Sequence, residues 1–104
     1  MNTFGAPVLD ALEATLARVQ QGFKGLVIGS DAPLFSAGAD IRVFLETVET
    51  SGPAAFGASI DRGHRLFKAV KYAPFPVVGA AAGLAFGGGC ELLLHCRAIQ
   101  AHAE

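Results

Sequence analysis

Between Lys71 and Glu91 the sequence carries no charged side chain, over a run long enough to cross a bilayer. Its residues argue against that use. The run holds Pro74, Pro76 and five glycines, and it is richer in Ala than in Leu or Ile. Small side chains contribute little transfer energy, and Pro76 together with three consecutive glycines breaks a helix. No membrane span is expected. The same residues suit a buried strand at Val77-Val78-Gly79-Ala80-Ala81-Ala82, then a glycine-rich loop from Gly83 to Gly89. Cys90 to Cys96 follows as a helix that is apolar almost all round, and so is expected to be buried.

The rest of the chain alternates in the same way. Leu9, Leu12, Leu16 and Val19 repeat at a helical period within Pro7–Gln20, with Pro7 suited to the first turn and Gly22 to the position past the end. Gly25 to Gly29 is a short aliphatic run read as a buried strand. The loop Leu34–Asp40 leads into a short helix from Ile41 to about Val48. A longer helix runs from Pro53 to about Tyr72, on the stripe Phe56, Ile60, Gly63, Phe67 and Val70. Ala98 to Ala101 reads as a third strand. Strands alternating with helices define an α/β class.

Composition narrows the partners. The chain has 104 residues, enough for one domain at most, and 52% of them are hydrophobic, which excludes a disordered segment. A formal charge of -1 gives no basic patch for nucleic acid. Cys90 and Cys96 lie about 240° apart if they share a helix, which suits neither a mutual disulfide nor a metal site. A reduced, cytoplasmic compartment is expected, and the first residues do not read as a signal peptide.

Two glycine-bearing loops, Ala37-Gly38-Ala39 and Gly87-Gly88-Gly89, each run into a helix start, where free N–H groups and the positive dipole end can hold an anion or oxyanion. They can equally be ordinary tight turns. Neither matches a P-loop or a dinucleotide fingerprint, and there is no Gly-x-Ser-x-Gly elbow. Glu91 is the sharpest signal. A carboxylate opening an apolar helix is expected to be buried beside the glycine loop, and burial tunes carboxylates for acid–base work. The alternative is a helix-start acid that faces water. Asp40 suits an N-cap as well as any chemical role. His64 is expected to be solvated, His95 to be a satisfied core or edge histidine, and Cys90 to be a small buried hydrophobe.

Taken together, Phe35-Ser36-Ala37-Gly38-Ala39-Asp40-Ile41 and the segment from Pro76-Val77-Val78-Gly79 through Gly87-Gly88-Gly89-Cys90-Glu91-Leu92 resemble the crotonase superfamily of enoyl-CoA hydratases and isomerases. The tail from Leu94 is similar to hydratase regions fused to 3-hydroxyacyl-CoA dehydrogenases. The resemblance implies a crotonase-like spiral of β-β-α units, assembled as a trimer or hexamer. It implies an acyl-CoA substrate with no cofactor beyond the coenzyme A that the substrate carries, and no metal. Its thioester oxygen would be held by the backbone N–H groups of Ala39 and Gly88. Preorganised donors of this kind stabilise an enolate, typically by about 2.7–4 kcal/mol each. Ala37, Asp40 and Ile41 would lie along the adenine end of coenzyme A. Leu84 and Gly87 would line the acyl side, and Glu91 would be the first catalytic glutamate.

The resemblance places a second glutamate after the strand that begins at Ala98, beyond Glu104, and places further strands before Met1. Residues 1–104 are therefore expected to be a partial domain, incomplete at both ends and inactive alone. Three short strands, some of them completely apolar, with so few covering helices point the same way. With two carboxylates the expected reaction is hydration of a 2-enoyl-CoA; with one, a double-bond shift. The rival from another class is a non-catalytic module that binds acyl-CoA or only assembles.

Overall fold

The computed structural model describes residues 2–102. Glu104, before which the second glutamate is not expected, lies outside them. The order is α1 (Ala6–Val19), β1 (Leu26–Ile28), α2 (Ile41–Lys71), β2 (Val77–Ala81), α3 (Gly88–His95) and β3 (Ala98–Ala101). The three strands form one parallel sheet in the order β1-β2-β3, with Leu26 beside Val77 and Val78 beside Ala98. Parallel neighbours need crossovers, which α2 and α3 supply. Between each of the first two strands and its helix lies a loop that carries an isolated bridge residue. A parallel bridge from Ser36 to Ala85 joins these two loops.

The two helices expected at Ile41 and Pro53 meet end to end within α2. Gly52 breaks the helical backbone between them with φ 84° and ψ 172°, and Pro53 opens the second half. A positive φ of that size suits glycine, and a proline is tolerated in a first turn. Phe44 and Phe56 pack edge to face across the kink, with ring centroids 5.0 Å apart.

The core lies on one face of the sheet. Leu16 and Val19 from α1, Phe67 and Val70 from α2, Phe75, Val77 and Leu92 close together there, with Leu26 and Ile28 packed against them. Side chains alternate along a strand, so Val27 points the other way and is 68% exposed. The expectation of a buried first strand is corrected accordingly: β1 is covered on one face. The third strand, β3, is exposed along its length. Helix α3 is likewise covered on one side. Gly89, Leu92 and Leu93 are buried, whereas Leu94 is 71% exposed. Among the described residues no helix is long and apolar enough to cross a membrane.

Candidate active site

The two glycine loops are laced together by backbone hydrogen bonds. Phe35 N and Ser36 N donate to Leu84 O at 2.9 and 3.2 Å, and Phe86 N donates to Ser36 O at 2.9 Å. Ser36 is the hinge pin of the first loop. Its hydroxyl, 4% exposed, accepts from Gly38 N at 3.0 Å and donates to Asn2 O at 3.2 Å. Asn2 O also accepts from Ala37 N at 2.7 Å, and Gly38 O accepts from Phe4 N at 2.8 Å. These bonds engage Ala37 N and both backbone polar groups of Gly38, just before Ala39. Ala39 N has no acceptor among the described residues, and neither does Gly88 N, which opens α3 and so has no intrahelical partner.

Both residues line a cavity of about 390 Å³ between α1, the two halves of α2 and α3, and Glu91 lines it with them. The Glu91 carboxylate lies back over the loop: a Cβ on Gly88 would come within 3.9 Å of its Oε2. Phe4, Leu9, Val43, Phe44, Ile60 and Phe67 supply an apolar wall. Two free N–H donors, a carboxylate and an apolar wall can together hold a carbonyl compound, stabilise charge on its oxygen and exchange a proton beside it. Glu91 is itself exposed, so the expectation of a buried carboxylate is corrected. Its neighbour Cys90 is exposed too, against the expectation of a buried hydrophobe. The first turn of α3 presents both side chains outward while Gly89 packs inward, with no room for a Cβ against Ser36.

Asp40 caps α2, its Oδ1 accepting from Arg42 N at 3.1 Å and Val43 N at 3.5 Å. Ala37, Ala39, Asp40 and Ile41 border a second hollow with Thr3 and Arg42. Leu84 and Gly87 line neither hollow; both are exposed, and Leu84 contributes its carbonyl to the lacing. His95 is half-buried, its Nδ1 2.6 Å from Glu91 O and its ring 5.4 Å from that of Phe67. Arg62 bonds Asp10 at 2.5 Å and Glu13 at 3.1 Å, tying α2 to α1. The hydrogen bonds to Asp10 and then to Glu13 raise its pKa above the ordinary value.

Sequence reading missed Asn2 and Ser36, and took His64 for a solvated side chain with no part in a site. The first two act through loop hydrogen bonds with no periodic signature. His64 lines the cavity although it is exposed. It sits one residue from Gly63 on the apolar stripe of α2, and that adjacency is the signal that could have pointed to it.

Solved structures similar to this chain include enoyl-CoA hydratases. The chain superposes on the enzyme from Shewanella pealeana with a TM-score of 0.83 at 20% identity, covering 95% of this chain and 38% of that one. Against an enoyl-CoA hydratase/isomerase from Cupriavidus metallidurans the TM-score is 0.76 at 30% identity, covering 95% and 37%. The fold is therefore crotonase-like. The family model for enoyl-CoA hydratase/isomerase matches residues 1–104, and the chain belongs to that family. It is 40% identical over 99 residues to the fatty acid oxidation complex subunit alpha of Vibrio vulnificus, covering 92% of this chain. It is 39% identical over 108 residues to the human peroxisomal bifunctional enzyme, covering 94% of this chain. The chain spans 14% of the length of each of these two relatives.

Proposed function

We propose that the protein carrying this chain is an enoyl-CoA hydratase of fatty-acid β-oxidation, adding water to a 2-enoyl-CoA to give a 3-hydroxyacyl-CoA. The observation that carries the reading is the meeting of unpaired N–H groups on Ala39 and Gly88 with the Glu91 carboxylate in one apolar-walled cavity. The thioester oxygen sits between the two donors, which bind it more strongly as negative charge develops there. Glu91 exchanges the proton. Ala37, Asp40 and Ile41 flank the nucleotide end of coenzyme A, whereas Leu84 and Gly87, which line neither hollow, take no part in this reading. The reaction draws on no cofactor and no metal.

The reading includes a wider setting, a cytoplasmic enzyme joined to a 3-hydroxyacyl-CoA dehydrogenase and assembled as a homo-oligomer, of which the relatives' names support the dehydrogenase fusion alone. One such relative is the probable 3-hydroxyacyl-CoA dehydrogenase of Bacillus subtilis, 31% identical over 103 residues, covering 99% of this chain and 13% of that protein. A second reading, double-bond isomerisation, draws on a specific observation. Of the two carboxylates lining the cavity, Asp40 is spent on capping α2, so Glu91 alone is free. One carboxylate suffices to move a proton between carbons. Assaying the full-length protein with a 2-enoyl-CoA and, separately, a 3-enoyl-CoA tests the choice. Hydration of the first is expected; a shift of the double bond in the second without hydration of the first favours isomerisation. Acyl-CoA binding without turnover of either leaves a binding module.

A further inference from the structure

Helix α2 turns back on itself around the cavity. Phe44 and Phe56 stand twelve residues apart, which a straight helix would separate by about 18 Å. Their ring centroids nevertheless lie 5.0 Å apart. The turn falls at Gly52, where the backbone leaves the helical region. The two halves of α2 therefore form a V, and both arms face the cavity: Val43, Phe44 and Thr47 from the first, Ser59, Ile60 and Gly63 from the second. Spacings of three and four residues put each set on one face of its arm.

Two features of the V decide what it can hold. Gly63 sits inside a helix, where glycine costs more backbone entropy than any other residue. Close packing does not require it: among the described residues, a Cβ there would meet no atom within 4 Å beyond its own helix. The missing side chain leaves open volume in the cavity wall. Phe44 borders the cavity with Phe56 edge to face against it, and this ring pair joins the two arms. Along the first arm the cavity wall runs from Asp40 to Thr47. That advance is about 10 Å, the length of roughly eight carbons of an extended chain at about 1.25 Å each.

We propose that the V of α2 sets the length of the acyl chain, with Gly63 making room for it and the Phe44–Phe56 pair stopping it, so that the favoured substrate is a medium-chain acyl thioester of about eight carbons. The proposal rests on the reading of the cavity as an acyl-thioester site. Ala39 borders both this cavity and the second hollow. With the nucleotide end in the second hollow and the thioester oxygen at Ala39 and Gly88, the acyl end enters the V. Val43, Phe44 and Ile60 give it apolar cover there. The hydroxyls of Thr47 and Ser59 are turned back onto the helix, donating to Val43 O at 2.8 Å and Ala55 O at 3.2 Å, so they do not demand a polar ligand. Each methylene that gains cover strengthens binding about fourfold until the chain meets the rings. A longer chain must displace Phe44 or leave the cavity.

The test measures, on the full-length protein, binding of saturated acyl-CoAs with four, eight, twelve and sixteen carbons, and kcat/KM for the matching 2-enoyl-CoAs. Wild type is expected to favour eight carbons over four and to gain nothing at twelve or sixteen. Gly63→Leu fills the open wall with a better helix former. It should weaken binding and kcat/KM at eight carbons about tenfold relative to four. Phe44→Ala should move the preference to twelve carbons. Gly57→Leu is the control, on the same arm with open space around it but outside the cavity, and should keep the wild-type profile. A Gly63→Leu profile that matches wild type, or that falls equally at every length, overturns the proposal and leaves the acyl-thioester reading standing. Failure of every acyl-CoA to bind wild type overturns both.

Discussion

Gly38 and Gly88 approach so closely that a Cβ on Gly38 would sit 3.3 Å from the Gly88 nitrogen and 2.8 Å from Phe86 O. This contact sets the spacing of the two proposed N–H donors, because Ala39 follows Gly38 directly. Gly38 also has φ +81°, a left-handed conformation that an L side chain adopts only at a cost.

Gly38→Ala is expected to destabilise the protein by about 1–3 kcal/mol, from backbone strain in addition to the clash with Phe86 O. It should also weaken acyl-CoA binding, since relief of the clash separates the two donors. Urea unfolding and direct binding of an acyl-CoA check both effects. A variant with wild-type stability and affinity would show that the loops are not held at this distance.

Asp40→Ala removes the cap of α2 and is expected to cost about 0.5–2 kcal/mol, whereas Asp40→Asn retains a capping oxygen and most of the stability. Thermal unfolding of the two variants decides this. Equal losses in both would indicate that charge, and not capping, is what Asp40 contributes.

The two thiols should react at different rates. Cys90 is exposed, while burial raises the pKa of the Cys96 thiol, whose Sγ lies 3.4 Å from Leu92 O. The thiolate is the reactive form, so a disulfide reagent at neutral pH should label Cys90 first and Cys96 slowly. Cys90→Ser should abolish the fast phase and leave the slow one. A fast phase that survives Cys90→Ser would contradict this placement of α3.

Expressed alone, the 104 residues are expected to self-associate or to unfold with low cooperativity. Val27, Leu94 and Ile99 are exposed, and β1 and β3 are open edges. Sedimentation across a concentration series measures this. A monomer with one sharp unfolding transition would contradict it.

Much of this architecture is legible in the sequence, because local signals set it. Pro7, Pro53, Pro74 and Pro76 mark boundaries, and the glycine run before Leu92-Leu93-Leu94 marks a helix start that the structure places at Gly88. What sequence could not give is which side of an apolar element is covered. Leu93 and Leu94 are indistinguishable by type, yet one packs near Gly79 and the other faces outward. The same limit misplaced Glu91 and Cys90 as buried. The part of the site that escaped altogether was built at long range: Asn2 reaches Ser36 and Ala37 through a backbone carbonyl, a contact no spacing rule anticipates.

Glu91→Gln tests the central claim most directly, because Gln keeps the size and hydrogen-bonding capacity of Glu but cannot exchange a proton. In the full-length protein, steady-state turnover of a 2-enoyl-CoA should fall about 10²–10⁴-fold while acyl-CoA affinity changes little. Gly88→Pro, which deletes a proposed N–H donor, should lower turnover as well. If Glu91 serves only as a favourable helix-start charge, its replacement costs up to about 1 kcal/mol of stability and spares turnover. Wild-type turnover in Glu91→Gln would remove this carboxylate from the chemistry and contradict the account.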